Sequence, residues 1–255
     1  MPKVGDLKLH MPIFLIYAGT LVYEFHYDNL ARLVPKSGGT IFETRWRFLT
    51  YWNFVLQAVF FGICVLADLV AKDDQSHVLR RLQNRIMVSL AYPLAMFVGV
   101  TFWAIYLVDR ELILPKAMDV FFPVWLNHCM HTNIVVFMLI EFITTSYAYE
   151  PRARNVKILL SVMVSYLIWL FVIYSATGVW VYPILHVLSW PLKIAFIIGC
   201  LGLVLGLYVT GEKLNKALRG EKEVVVIMPA SSVAEMSRAS PPPPATSAGN
   251  VKKEK

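Results

Sequence analysis

The chain has 255 residues, of which 57% are hydrophobic, 13% aromatic and 16% charged, and its mean hydropathy is +0.57. A soluble domain is about 45–50% apolar and about 25% charged, so this composition points away from a soluble globular protein. It also excludes a mainly disordered chain, a collagen and a coiled coil. The net charge of +7 would suggest nucleic acid in a soluble protein; in an apolar chain it marks membrane sidedness, and no nucleic-acid partner is expected.

A membrane helix needs about 20 mostly apolar residues. Six such spans are expected, at about 11–31, 48–71, 86–108, 124–145, 158–177 and 191–210. The fold class is therefore an all-α bundle of about six transmembrane helices, residues 1–210, surrounded by membrane lipids. The first span has a signal-like start, with Lys3 and Lys8 before Met11–Tyr23, but no small-residue cleavage pattern follows Val22-Tyr23-Glu24. It is read as retained. Cys64, Cys129 and Cys200 fall inside apolar runs. They form neither a disulfide framework nor a zinc motif, and read as small packing residues.

Six spans put both termini on one side. Seventeen of the 24 Lys and Arg then lie on that side, chiefly in the Arg80-Arg81 loop and after residue 210. Both termini are expected in the cytoplasm. The segment 211–255 is polar, and Ser231–Asn250 is Ser/Ala-rich and carries Pro241-Pro242-Pro243-Pro244. It is expected to be a disordered cytoplasmic tail, and the four prolines could form a weak ligand for a proline-reading partner. The expected compartment is the plasma membrane or the endoplasmic reticulum, and the sequence carries no Lys-Asp-Glu-Leu signal that would choose between them.

Ionisable groups inside a span are costly and point to function. The fourth span reads Trp125-Leu126-Asn127-His128-Cys129-Met130-His131-Thr132-Asn133. Residues three and four apart share a helix face, so Asn127, His128 and His131 are expected to form one stripe facing the bundle interior. Three readings of the stripe stand side by side. It is a structural hydrogen-bonded cluster, a metal site, or a general base held neutral by its apolar surroundings. A metal would need further ligands, and Glu141 lies ten residues on, about 15 Å along a helix. No metal or cofactor motif accompanies the histidines, and no cofactor is expected.

A base needs a nucleophile. No Gly-x-Ser-x-Gly elbow is present, which excludes a conventional α/β-hydrolase. The remaining hydroxyls are Thr50, Ser89, Thr101, Ser161, Ser165, Ser175 and Thr177. Depth in the membrane allows Thr50, Ser175 and Thr177 beside His131 and disfavours Ser89 and Ser161, without choosing among those allowed.

Trp46-Arg47-Phe48-Leu49-Thr50 leads into Gln57-Ala58-Val59-Phe60-Phe61-Gly62-Ile63-Cys64. Asp109-Arg110-Glu111, Trp125–Thr132 and Thr177-Gly178-Val179-Trp180-Val181-Tyr182-Pro183 follow in order. From about residue 11 to 215 the chain resembles the family of androgen-induced and androgen-dependent TFPI-regulating proteins. That resemblance implies a multipass membrane hydrolase of fatty acid esters of hydroxy fatty acids, with such a lipid ester as its partner. It implies Thr50, ending the Trp-basic-Phe-Leu-Thr motif, as nucleophile. It implies His131, the second histidine of the Asn-His-x-Met-His motif, as general base. The Arg32–Thr44 loop and the tail depart from the family pattern.

Beside these, Asn127 and His128 are candidate orienters of the imidazole. Arg47, three residues before Thr50, is a candidate anchor for a substrate carboxylate if the second helix extends outward that far. The competing function is a non-catalytic multipass protein, a transporter, channel or regulatory scaffold, using Asn127, His128 and His131 for ion or proton contacts.

Overall fold

The computed structural model describes residues 6–26, 45–72, 74–120, 122–149 and 151–226. Positions 27–31 of the first expected span, the loop 32–44, and the tail from 227 with its four prolines lie outside the described residues. Among the described residues the chain is all-helical. The long helices are α1 (Leu7–His26), α2 (Leu49–Val70), α3 (Val78–Val108), α4 (Val124–Thr144), α5 (Arg152–Thr177) and α6 (Trp190–Val226).

Five of these, α2 to α6, are long and apolar enough to cross a membrane. Helix α1, which carries Lys8, His10 and Glu24, is not among them. It packs along α2. Tyr17 seals that seam, fully buried, with its ring edge-on to Phe54 of α2 and Phe137 of α4. Helix α3 is the most buried span, touching α2, α4 and α6. Helices α5 and α6 are the least enclosed, with 28% and 11% of their apolar windows buried. In a bilayer those bare apolar faces lie against lipid, where a polar surface would be penalised.

Two helices are locally widened. Within α3 the turn Met87–Ala91 is π-helical, just ahead of Pro93. Proline has no N–H to give and its ring crowds the carbonyl four residues back, so the ladder loosens there. Gln57 of α2 donates to the Ala91 carbonyl at 3.0 Å. The second π turn, Cys129–Asn133, lies in α4 and contains His131.

Two boundaries differ most from the sequence reading. Helix α3 starts at Val78 rather than near 86, because its polar first turns are buried in use. Arg80 pairs with Asp68 at 2.9 Å and donates to the Ala71 carbonyl at 3.2 Å. Helix α6 continues to Val226, well into the segment expected to be disordered from 211. Its extension is tied down by polar contacts. Glu212 accepts from Arg152 at 2.8 Å, and Asn215 donates to the Tyr147 carbonyl at 3.0 Å. Arg219 reaches the Phe142 and Ile143 carbonyls at 2.9 and 3.2 Å. Those carbonyls belong to the last turn of α4, where a cation is favoured.

One end of the bundle is closed by a buried ionic network. His10 meets Asp68 through Nδ1 at 2.6 Å and Glu141 through Nε2 at 2.8 Å. Glu141 also accepts from the Tyr147 hydroxyl, which in turn accepts from Gln83 at 3.1 Å. The network links α1, α2, α3 and α4. Asp68 lies 18 residues beyond Thr50 on α2, about 27 Å along the helix axis. The network therefore leaves the other end of the bundle free for a site.

Candidate functional site

Thr50 is the second residue of α2. The segment before it is fixed by a chain of hydroxyls. The Leu49 N–H donates to the Tyr182 oxygen at 3.1 Å. Tyr182 and Tyr166 hydroxyls are 2.9 Å apart, and Tyr166 donates to the Arg47 carbonyl at 3.0 Å. Each tyrosine has one proton, so the order is fixed: Leu49 N–H to Tyr182, Tyr182 to Tyr166, Tyr166 to Arg47. The Trp46 carbonyl accepts from Trp52 Nε1 at 2.9 Å and Trp169 Nε1 at 2.8 Å. Helix α5 and the Tyr182 loop thus hold the first turn of α2 in place.

His131 is 5% exposed. Its Nε2 lies 3.3 Å from Thr50 Oγ1. Its Nδ1 lies 2.7 Å from Asn127 Oδ1 and 3.1 Å from the Asn127 carbonyl oxygen. A carbonyl can only accept, so Nδ1 carries the ring proton and Nε2 presents its lone pair to the Thr50 hydroxyl. The ring stacks on Phe102, centroids 3.6 Å apart and planes 12° from parallel. Gly99, one turn earlier on α3, lets the two backbones approach. A Cβ there would lie 2.9 Å from the His131 carbonyl and 2.2 Å from Val135 Cγ2.

Thr50 and His131 are thus brought together, with Asn127 behind the imidazole. The expected stripe does not survive intact. His128 is exposed, bonds Thr132 Oγ1 at 3.0 Å through Nδ1 and stacks against Trp103. The π turn is the reason: closing a wider ring breaks the three-residue register that would have aligned His128 with His131. Arg47 also departs from its expected place. Helix α2 begins at Leu49 and Phe48 is extended (φ −98°, ψ 130°), so no helix face joins Arg47 to Thr50. Arg47 lines neither cavity at the site.

Of the other hydroxyls, Ser89, Ser161, Ser165 and Thr177 bond backbone carbonyls four residues back, as membrane serines and threonines commonly do. Sequence reasoning missed His10, Tyr166 and Tyr182 as organising residues; Tyr182 lay inside a motif but had no assigned task. His10, Cys64 and Glu141 each bring one ligand atom within 4.8 Å of the others. Both nitrogens of His10 already face carboxylates, however, and Arg80 stands beside Asp68. A fixed cation there competes with a metal ion.

Two cavities meet at Thr50. One is a slot of about 130 Å³ between α3, α5 and α6, lined by residues such as Val98, Ile105, Met163, Leu170, Ile197 and Cys200. The other is a chamber of about 460 Å³ under residues 113–118, lined by Glu24, Arg45, Met118, Phe122, Met130 and His131. Phe102, Ile113 and Tyr182 line both.

A model of FAR-17a/AIG1-like proteins matches residues 5–216. The chain belongs to this family. The androgen-induced gene 1 protein of Homo sapiens is 38% identical over 240 residues, which is 88% of this chain and 98% of that protein. The androgen-dependent TFPI-regulating protein of Mus musculus is 34% identical over 207 residues, 79% of this chain and 89% of that protein. A UPF0641 membrane protein of Schizosaccharomyces pombe is 30% identical over 181 residues, 70% and 77% of the two chains. No solved structure matches the chain. The family match covers every residue of the site, and together with the apolar helices it makes the chain an integral multi-pass membrane protein.

Proposed function

We propose that the chain is a membrane-embedded threonine hydrolase that cleaves the ester bond of fatty acid esters of hydroxy fatty acids. The observation that carries this reading is the run from Asn127 Oδ1 through the His131 ring to Thr50 Oγ1, at 2.7 and 3.3 Å. It has the form of an activated nucleophile: a hydroxyl, a base within reach, and a third group orienting the base. Asn127 supplies orientation without charge.

His131 Nε2 accepts the Thr50 proton as Oγ1 attacks the ester carbonyl carbon. The tetrahedral adduct collapses, the alkoxide of the hydroxy fatty acid leaves, and it takes the proton back from Nε2. The remaining acyl-threonine is attacked by water, whose proton goes to Nε2. Collapse of that second adduct frees the fatty acid and returns the proton to Thr50. Negative charge develops at the N-terminal turn of α2, where the helix dipole favours it. A lipid ester reaches the site with its chains in an apolar phase throughout.

In the same reading α1 completes six crossings, and both termini face the cytoplasm. The Arg80-Arg81 turn then shares the cytoplasmic side with the ionic network, and Thr50 and His131 lie in the opposite half. Purified protein in detergent or vesicles should release hydroxy fatty acid and fatty acid from a branched ester, and Thr50→Ala should not. Absence of turnover by the wild type, with its fold intact, overturns the proposal.

A further inference from the structure

We propose that the two cavities divide the substrate at Thr50: the acyl chain occupies the slot, and the alcohol portion occupies the chamber. The assignment rests on the hydrolase reading above and adds the direction in which the ester lies.

Three observations carry it. The first is the position of the base. His131 lines the chamber and not the slot. The leaving oxygen must receive its proton from His131 Nε2, and the attacking water must give its proton to the same atom. Both therefore stand on the chamber side of the carbonyl carbon, and the acyl chain is left to point into the slot. The second is polarity. The chamber wall includes Arg45 and Glu24, whose Nε and Oε2 atoms are 3.7 Å apart, whereas no charged residue lines the slot. A polar alcohol end and incoming water are tolerated beside charge, and an alkyl chain is favoured in an uncharged wall. The third is shape. The slot is the smaller of the two cavities, which suits one unbranched chain, while the chamber has room for an alcohol carrying two arms. The slot also runs toward α5 and α6, the helices most open to lipid, so a long tail can extend outward between them.

The test uses the full-length protein and a panel of esters in which acyl length and alcohol size vary separately. Cys200→Trp narrows the slot from α6, and Ala117→Trp narrows the chamber from an exposed loop position. Cys200→Trp should lower the ratio of kcat/KM for long over short acyl chains about tenfold, with alcohol selectivity as in the wild type. Ala117→Trp should shift selectivity against bulky alcohols and keep the acyl preference. Labelling of Thr50 by a fluorophosphonate verifies that each variant is folded. If the two variants exchange these effects, or each lowers all esters alike, the assignment is overturned while the hydrolase reading stands. If the wild type cleaves no ester, both fall.

Discussion

At the scale of single residues, the site depends on one tautomer. Nε2 of His131 can receive a proton from Thr50 only while Nδ1 keeps its own, and Asn127 holds it there through two acceptors. Removing the side-chain acceptor should misorient the ring. Asn127→Ala is expected to lower kcat by about 10²-fold with KM little changed, within the range a general base contributes. Asn127→Asp, which retains an acceptor at the same reach, should recover much of the loss. A merely structural asparagine would show a matching fall in thermal stability and no rescue. Thr50→Ser should keep measurable turnover, since it retains the hydroxyl. The sequence singles out Thr50 and His131 only through the family resemblance; depth arithmetic allows the pair without choosing it, and the structure places the two side chains 3.3 Å apart. The condition on which Arg47 would share Thr50's face, a helix running outward through Phe48, is not met, because the extended backbone of Phe48 stops the helix at Leu49.

At the scale of helices, the site is made by a close approach and a widened turn. Gly99 allows α3 to touch the backbone of α4 at His131. Gly99→Ala should push the π turn away, costing about 1–3 kcal/mol as overpacked substitutions do. The measurement is a lower unfolding temperature together with slower labelling of Thr50. Tyr182→Phe should act differently: it breaks the hydroxyl chain from Leu49 to Arg47 and loosens the first turn of α2. Turnover should fall while the unfolding temperature moves little. The six apolar runs were readable because the membrane demands their length and composition, yet α1 falls short of the standard the other five meet. The π turn in α4 was not readable. The one in α3 precedes a proline, but Cys129–Asn133 has no such marker, and the three-residue spacing of His128 and His131 is that of a shared α-helical face. The extension of α6 was hidden for a related reason. Polar composition after residue 210 reads as solvation, while Glu212, Asn215 and Arg219 are spent on contacts to Arg152, Tyr147 and the end of α4.

At the scale of the molecule, the bundle has two polar ends with different tasks. The His10, Asp68, Glu141 and Arg80 network holds four helices together where apolar packing gains little over lipid. Breaking a buried ion pair from one side is strongly destabilising, by about 3–5 kcal/mol. Glu141→Leu should therefore lower the unfolding temperature sharply. Because the network lies at the far end of α2, whatever protein remains folded should still label at Thr50. The opposite end carries Thr50, His131 and the two cavities that meet there, and under the proposed hydrolase reading the apolar composition gives a lipid ester access to them. The most direct test of the central claim is mass-spectrometric mapping of a fluorophosphonate adduct on the purified wild type, Thr50→Ala and His131→Ala. The account predicts an adduct on the peptide containing Thr50, absent in Thr50→Ala and strongly reduced in His131→Ala. Labelling that is unchanged by both substitutions would contradict it.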